Sequence, residues 1–157
     1  MDKYIESLLA EADKLHTRYE LAKTITREYF DPGMMEYLDQ NYGEYDPVSK
    51  SLTLRFEVKG TRYDGRTEFI EKMKVGDEIE VVRERSNQYN PNNFSFFNSN
   101  GYNLGNMPAE LCNAIAPLYD AGVLSVSNAF VSYVEPITKR SRHAKQAVLF
   151  VEISCKL

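Results

Sequence analysis

The segment SLTLRFEVKG, residues 51–60, alternates without a break. Leu52, Leu54, Phe56 and Val58 fall on one side, and Thr53, Arg55, Glu57 and Lys59 on the other. Successive side chains of a strand point to opposite faces, so a period of two predicts a strand with one face in a core and one in solvent. Further segments extend the pattern. DEIEVVRER reads as a strand entered through the turn KVGD, and NFSFF and YNLGNM flank a Ser99-Asn100-Gly101 turn as a hairpin. VLSVSNAFVSYVEPI and QAVLFVEISCKL read as two long strands joined by the basic loop TKRSRHAK. Between hairpin and long strands, PAELCNAIAPLYDAG predicts a helix, with Pro108 at its start, Leu111, Ile115 and Leu118 on one face, and Gly122 as its stop. Together these elements predict a mainly β, α+β domain over residues 51–157, an antiparallel β-barrel or sandwich with an inserted helix.

The chain before this domain has a different period. Ile5, Leu8, Ala12, Leu15, Tyr19, Ala22 and Tyr29 follow a 3-4 spacing, interrupted at Thr26, and Asp31-Pro32 reads as the cap and first turn of a short second helix ending near Gly43. Residues 1–45 are thus expected to form an N-terminal helical hairpin, either packed on its own domain or pairing with a second copy as a homodimer. NYGEYDPVSKS reads as a turn-rich linker.

Charge follows the same division. Residues 1–50 carry six Lys/Arg against eleven Asp/Glu, whereas residues 51–157 carry thirteen against twelve. The acidity of the whole chain, net −4, therefore belongs to its first third and does not exclude a polyanionic partner for the remainder. No apolar run approaches the roughly 20 residues of a membrane helix, and no membrane association is expected. The charged start MDKYIESLLAEAD does not read as a signal peptide, and Cys112 and Cys155 lack metal-ligand spacing. Buried, reduced thiols in a cytoplasmic protein are the expectation.

Between Arg83 and Leu111 asparagines crowd together, at 87, 90, 92, 93, 98, 100 and 103, with Tyr89 and Phe94 among them. Asparagine amides bond nearby backbone and favour turns over strands, so the cluster is either an elaborate turn or a polar, aromatic-edged pocket. Asn87 and Asn92 suit a turn-scaffolding role.

Read with its neighbours, the cluster resembles the signature of the HIRAN domain family, R-E-P-x-N-x-Y-D-P-N-A-hydrophobic. Here it runs Arg83-Glu84-Arg85-Ser86-Asn87-Gln88-Tyr89-Asn90-Pro91-Asn92-Asn93-Phe94, and the family's later G-x-hydrophobic-P is similar to Gly105-Asn106-Met107-Pro108. An earlier G-x-x-Y-x-G element stands as Gly60-Thr61-Arg62-Tyr63-Asp64-Gly65. The resemblance spans about residues 54–122 by motif and the last two strands by order, and leaves out the N-terminal helices.

The resemblance implies an OB-like barrel that binds DNA, in the best understood members a single-stranded 3′ end. Tyr63 becomes the candidate to stack on a terminal base, Tyr89 a pocket wall, and Asn90 the reader of the terminal sugar or phosphate in place of the signature's Asp. Arg62, Asn93, Phe94 and Asn106 complete the expected site. Arg85, Asn93 and Asn106 also depart from the family's usual residues. Around the site, Arg55, Lys59, Lys139, Arg140, Arg142 and Lys145, together with Arg66, are candidate phosphate contacts.

Asp46 with Glu57-Val58-Lys59 has the loose spacing of a metal-dependent nuclease. No P-loop motif is present, and His16 and His143, the only histidines, lie in separate regions, so no catalytic residue, metal site or cofactor is expected. A protein–protein adaptor working through the acidic helices is the alternative to DNA binding.

Overall fold

The computed structural model describes residues 42–46, 48–139 and 144–157. The expected helices over residues 3–29 and from Asp31, the homodimer built on them, and Arg140 and Arg142 lie outside the described residues.

Among the described residues, seven strands and two α-helices follow in the order β1 (Gly43–Asp46), β2 (Ser51–Glu57), α1 (Arg66–Glu71), β3 (Glu80–Glu84), β4 (Asn93–Phe97), β5 (Asn103–Asn106), α2 (Ala109–Asp120), β6 (Ser125–Glu135) and β7 (Val148–Lys156). They form two antiparallel sheets, a four-stranded one ordered β1-β2-β7-β6 and a three-stranded one ordered β3-β4-β5. The alternation of residues 51–60 is what builds the larger sheet. Leu52, Leu54 and Phe56 stand opposite Cys155, Ile153 and Val151, all buried, while Thr53, Arg55 and Glu57 stand opposite Ser154, Glu152 and Phe150 on the other face. Burying each such apolar side chain contributes about 1.5–3 kcal/mol.

The two sheets do not close into a barrel. Among the described residues the pairing between them is limited to two isolated bridges, Lys59↔Asn106 just past the end of β2 and Glu78↔Phe130 against the middle of β6. At the first crossing the backbones approach so closely that a Cβ on Gly105 would stand 2.4 Å from the Lys59 carbonyl oxygen, and Gly105 has φ +143°. Only glycine fits there. The observed architecture is therefore two sheets pinned by these bridges, mainly β with few helices.

Two local readings need correction. Gly43–Asp46 is a strand rather than linker, paired with β2 from Gly43↔Leu54 to Asp46↔Ser51. Four residues are too few to show an alternation, and the turn chemistry that follows them hid the pairing. In that turn Asp46 accepts from the Val48 N–H at 3.0 Å and the Ser49 hydroxyl at 2.9 Å. Helix α1 was not expected either: six residues span less than two turns, too little for a 3.6-residue period to register. It is anchored by buried Ile70 and by Phe69, whose ring stacks on Tyr102 at 4.1 Å. Helix α2, by contrast, lies where Pro108 and Gly122 punctuate the sequence, with Leu111, Ile115 and Leu118 buried.

The register also removes the nuclease constellation. Asp46 pairs with Ser51 at one end of β2 and Glu57 closes the other, about 20 Å away at the rise of a strand. No His/Cys/Asp/Glu group suited to a metal occurs among the described residues.

Candidate nucleic-acid interface

Sheet β3-β4-β5 has two unlike faces. Phe94 and Phe96 point one way into the core. Asn93 and Ser95 point the other way and are also buried, beside Glu84 of β3 and Asn106 of β5, to which they are register partners. Buried polar groups cost free energy unless bonded, and these are bonded to one another. The Asn93 amide donates to the Ser95 hydroxyl at 3.1 Å and to Asn106 Oδ1 at 3.0 Å, and the Ser95 hydroxyl reaches Glu84 Oε2 at 2.5 Å. This polar layer backs a cleft of about 660 Å³.

Two chain segments wall the cleft. One contributes Tyr63, Asp64 and Arg66; the other contributes Glu84, Asn87, Gln88 and Tyr89; Gly60, Asn103 and Asn106 join them. The rim is aromatic, Tyr63 being 52% and Tyr89 88% exposed. The Arg62 guanidinium lies 4.8 Å from the Tyr63 ring centroid and donates to its hydroxyl at 2.6 Å, so a cation accompanies that ring.

The asparagine segment is held by its own amides. Asn87 Oδ1 accepts from the N–H groups of Tyr89 and Asn90, both at 2.9 Å, and its amide donates to Glu84 Oε1 at 2.8 Å. Asn90 Oδ1 accepts from the Asn92 N–H at 2.9 Å, and the Asn90 and Asn92 amides donate to Asn113 of α2. The scaffolding expected of Asn87 and Asn92 is what these bonds do.

Beneath the loop, Arg83 acts as a clamp. Its Nε and Nη2 each bond Asp120 at 3.0 Å, its Nη1 donates to the carbonyls of Pro91 and Asn93, and its guanidinium lies 5.5 Å from the Phe94 ring centroid. Arg85 adds a bond to Asp120 at 2.9 Å. Burial pushes the Asp120 carboxyl up, but the hydrogen bonds and charges of Arg83 and Arg85 outweigh it and hold the group below its usual value. The thiols have the opposite fate: burial pushes Cys112 up to about 11 and Cys155 up to about 12, so neither is a nucleophile at neutral pH.

Of the expected site residues, the cleft gathers Tyr63, Tyr89 and Asn106, with Arg62 beside them. Phe94 must be withdrawn: it is 1% exposed and packs edge-on to Tyr119 on the core face. Asn93 is buried and serves the polar layer from behind. Asn90 is spent on the turn and on Asn113, and its side chain does not line the cleft. Arg55 lies elsewhere, paired with Glu152 on the outer face of β2 and β7. Lys59 is exposed and 3.8 Å from Glu57. Lys139 and Lys145 are exposed at the two ends of the basic loop, whose base is tied to the Tyr63 segment: Thr61 donates to the Ala147 carbonyl at 3.1 Å, and the Ala147 N–H donates to Thr67 at 3.2 Å.

Sequence reasoning left out Glu84, Gln88 and Asn103, which line the cleft, and named Arg66 as a phosphate contact in a stripe around the site rather than in the cleft itself. Its side chain is 14% exposed, its Nη1 donates to the Gly60 carbonyl at 3.1 Å, and its Nη2 lies 3.7 Å from Asp64. The spacing from Tyr63 would have placed Arg66 nearby only once α1 was recognised.

A mainly β domain of two pinned sheets, with an aromatic-rimmed cleft at the Gly60–Arg66 and Arg83–Phe94 elements, is the class these observations define. A protein-family model, the HIRAN domain, matches residues 51–150, and the chain belongs to that family. A crystal structure of a protein from Lactobacillus plantarum is similar at 22% identity, covering 66% of this chain and 95% of that one with a TM-score of 0.51, a likeness of fold. The crystal structure of the HIRAN domain of human HLTF is similar at 21% identity over 66% of this chain and 76% of that one, TM-score 0.47. An NMR structure of the HLTF HIRAN domain in its DNA-bound conformation is 21% identical over 66% and 75%, TM-score 0.43. No curated protein matches the chain.

Proposed function

We propose that this protein is a non-enzymatic nucleic-acid-binding module that takes the end of a single DNA strand, its 3′ end in particular, into the cleft between Tyr63 and Tyr89. The observation that carries the reading is the pair of exposed tyrosines rimming a polar cleft at the two family elements. Every base has a π-face, and an aromatic platform contributes about 1–3 kcal/mol per stacked base without sequence preference. The cleft's amides and Arg66 supply hydrogen bonds to sugar and phosphate, and Lys59, Arg62 and Lys145 supply cations on the approach. Family membership agrees with the reading, since a HIRAN domain, that of HLTF, has a DNA-bound conformation. Asn90 enters it as a support for the Tyr89 loop rather than as a direct reader of the terminal sugar.

Fluorescence anisotropy with labelled single strands tests it. Binding is expected to weaken as salt rises, because phosphate contacts release counterions. It is also expected to fall when the 3′ end is blocked by a hairpin. Indifference of the protein to every DNA at low salt would return the adaptor reading.

A further inference from the structure

Arg66 is a cleft side chain with a buried donor that the fold leaves unbonded. Its Nε is buried and has no hydrogen-bond partner, one of only two such side-chain atoms among the described residues. Its Nη2 has only the long 3.7 Å contact to Asp64, a side chain that is itself 83% exposed. A guanidinium carries five donors and cannot shed its charge, so burying it under-bonded is costly unless an anion completes it.

The space before it is kept open by a missing side chain. A Cβ on Gly60 would stand 3.1 Å from Arg66 Nη1 and 3.2 Å from Asn106 Nδ2, so both donors converge where any other residue would fill the gap. Asn106 is presented the right way round for this: its Oδ1 already accepts from the Asn93 amide, which leaves the NH₂ to the cleft. The other carboxylate of the cleft does not compete, because Glu84 is occupied by Asn87 and Ser95. Asp64 therefore acts as a stand-in anion at the edge of the site, held at salt-bridge rather than hydrogen-bond distance.

We infer that Arg66 and Asn106 form an anion-binding floor that takes the terminal phosphate of a bound strand, making this cleft a reader of phosphorylated ends. The inference rests on the strand-binding reading above and sharpens it. In the strand-end reading above, the nucleotide seated in this cleft of about 660 Å³ is the terminal one, and a phosphate on its end is the group that reaches the floor. A terminal phosphate carries a charge of about −1.5 to −2 at pH 7 and three acceptor oxygens, which suits a guanidinium and an amide together. On binding, it displaces Asp64 from Arg66.

The test uses the full chain and one labelled oligonucleotide carrying a 3′-hydroxyl, a 3′-phosphate, a 5′-hydroxyl or a 5′-phosphate. One phosphorylated end is expected to bind about tenfold or more tightly than its hydroxyl counterpart, the two pairs distinguishing which end is seated. Arg66→Gln should bring that ratio close to one, the phosphate-ended strand losing more affinity than the hydroxyl-ended one. Because Arg66 also holds the Gly60 carbonyl, Asp64→Asn provides the independent check; asparagine tolerates the φ of 54° at that position, and removing the stand-in should raise the ratio. Equal binding of hydroxyl and phosphate ends by the parent, a ratio that survives Arg66→Gln, or one unmoved by Asp64→Asn would overturn the inference and leave strand binding standing. Failure of every strand to bind would overturn both.

Discussion

The two sheets spend their buried residues differently. In β1-β2-β7-β6 one face is apolar and buried, and the other carries Thr53, Arg55 and Glu57 toward solvent. In β3-β4-β5 both faces of the central strand are buried, one by Phe94 and Phe96 and the other by Asn93 and Ser95. A buried apolar face needs only shape and volume, whereas a buried polar face needs every partner in place. The first sheet is built for stability, and the second gives up some of it to hold a cleft in a fixed form.

The largest effect expected from this difference lies in the core. Replacing Phe96 by Ala, at full burial, should cost about 3–5 kcal/mol of unfolding free energy in a urea titration. Next comes the clamp behind the cleft. Arg83 and Asp120 are 6% and 11% exposed, and removing Asp120 should cost about 3–5 kcal/mol, because the buried Arg83 guanidinium then has no counter-charge, whereas Arg83→Ala should cost less because Arg85 stays on Asp120. Arg83→Ala should also loosen the Asn87–Asn92 loop and weaken strand binding with it, a coupling that Phe96→Ala lacks as long as the protein stays folded. The pH dependence follows from the lowered Asp120. Its stabilising contribution is complete above the unfolded carboxyl value of 3.8 and is lost as pH falls below it toward the folded value. The acid limb of an unfolding profile should therefore be shallower in Asp120→Asn.

Binding effects are smaller. Tyr63→Ala and Tyr89→Ala should each cost about 1–3 kcal/mol of affinity at unchanged salt slope, since stacking releases no counterions. Arg55→Ala should move affinity least, within about 0.5 kcal/mol, because its partner Glu152 lies with it on the outer face of the other sheet. An Arg55 variant that lost binding as strongly as the tyrosine variants would put the interface on the wrong sheet.

The same difference governs what could be read in advance. Period-two alternation marked β2, and helix punctuation marked α2, because each runs long enough for its period to register. β1 and α1 are too short for that. Phe94 was assigned to the site by its place in the signature, although Phe94 and Phe96 share one face while Asn93 and Ser95 share the other. That alternation, applied to NFSFF, would have sent Phe94 to the core and Asn93 to the polar layer. Asn90 stands off the cleft for another reason. Its amide reaches Asn113 in a helix 23 positions on, a contact that no local pattern announces. Tyr63 and Tyr89 were legible because two spaced motifs named them independently, while Arg66 acquires its place only from the way α1 turns back on Gly60.

The location of the interface is the claim on which the rest depends, and amide chemical shifts of the full chain titrated with a short unlabelled single strand test it most directly. Perturbations are expected to gather at Gly60–Arg66, Glu84–Tyr89, Asn103 and Asn106, with Arg55, Ser132 and Glu152 on the outer face of the larger sheet unmoved. Shifts centred on that outer face, with the Tyr63 and Tyr89 segments silent, would contradict the account.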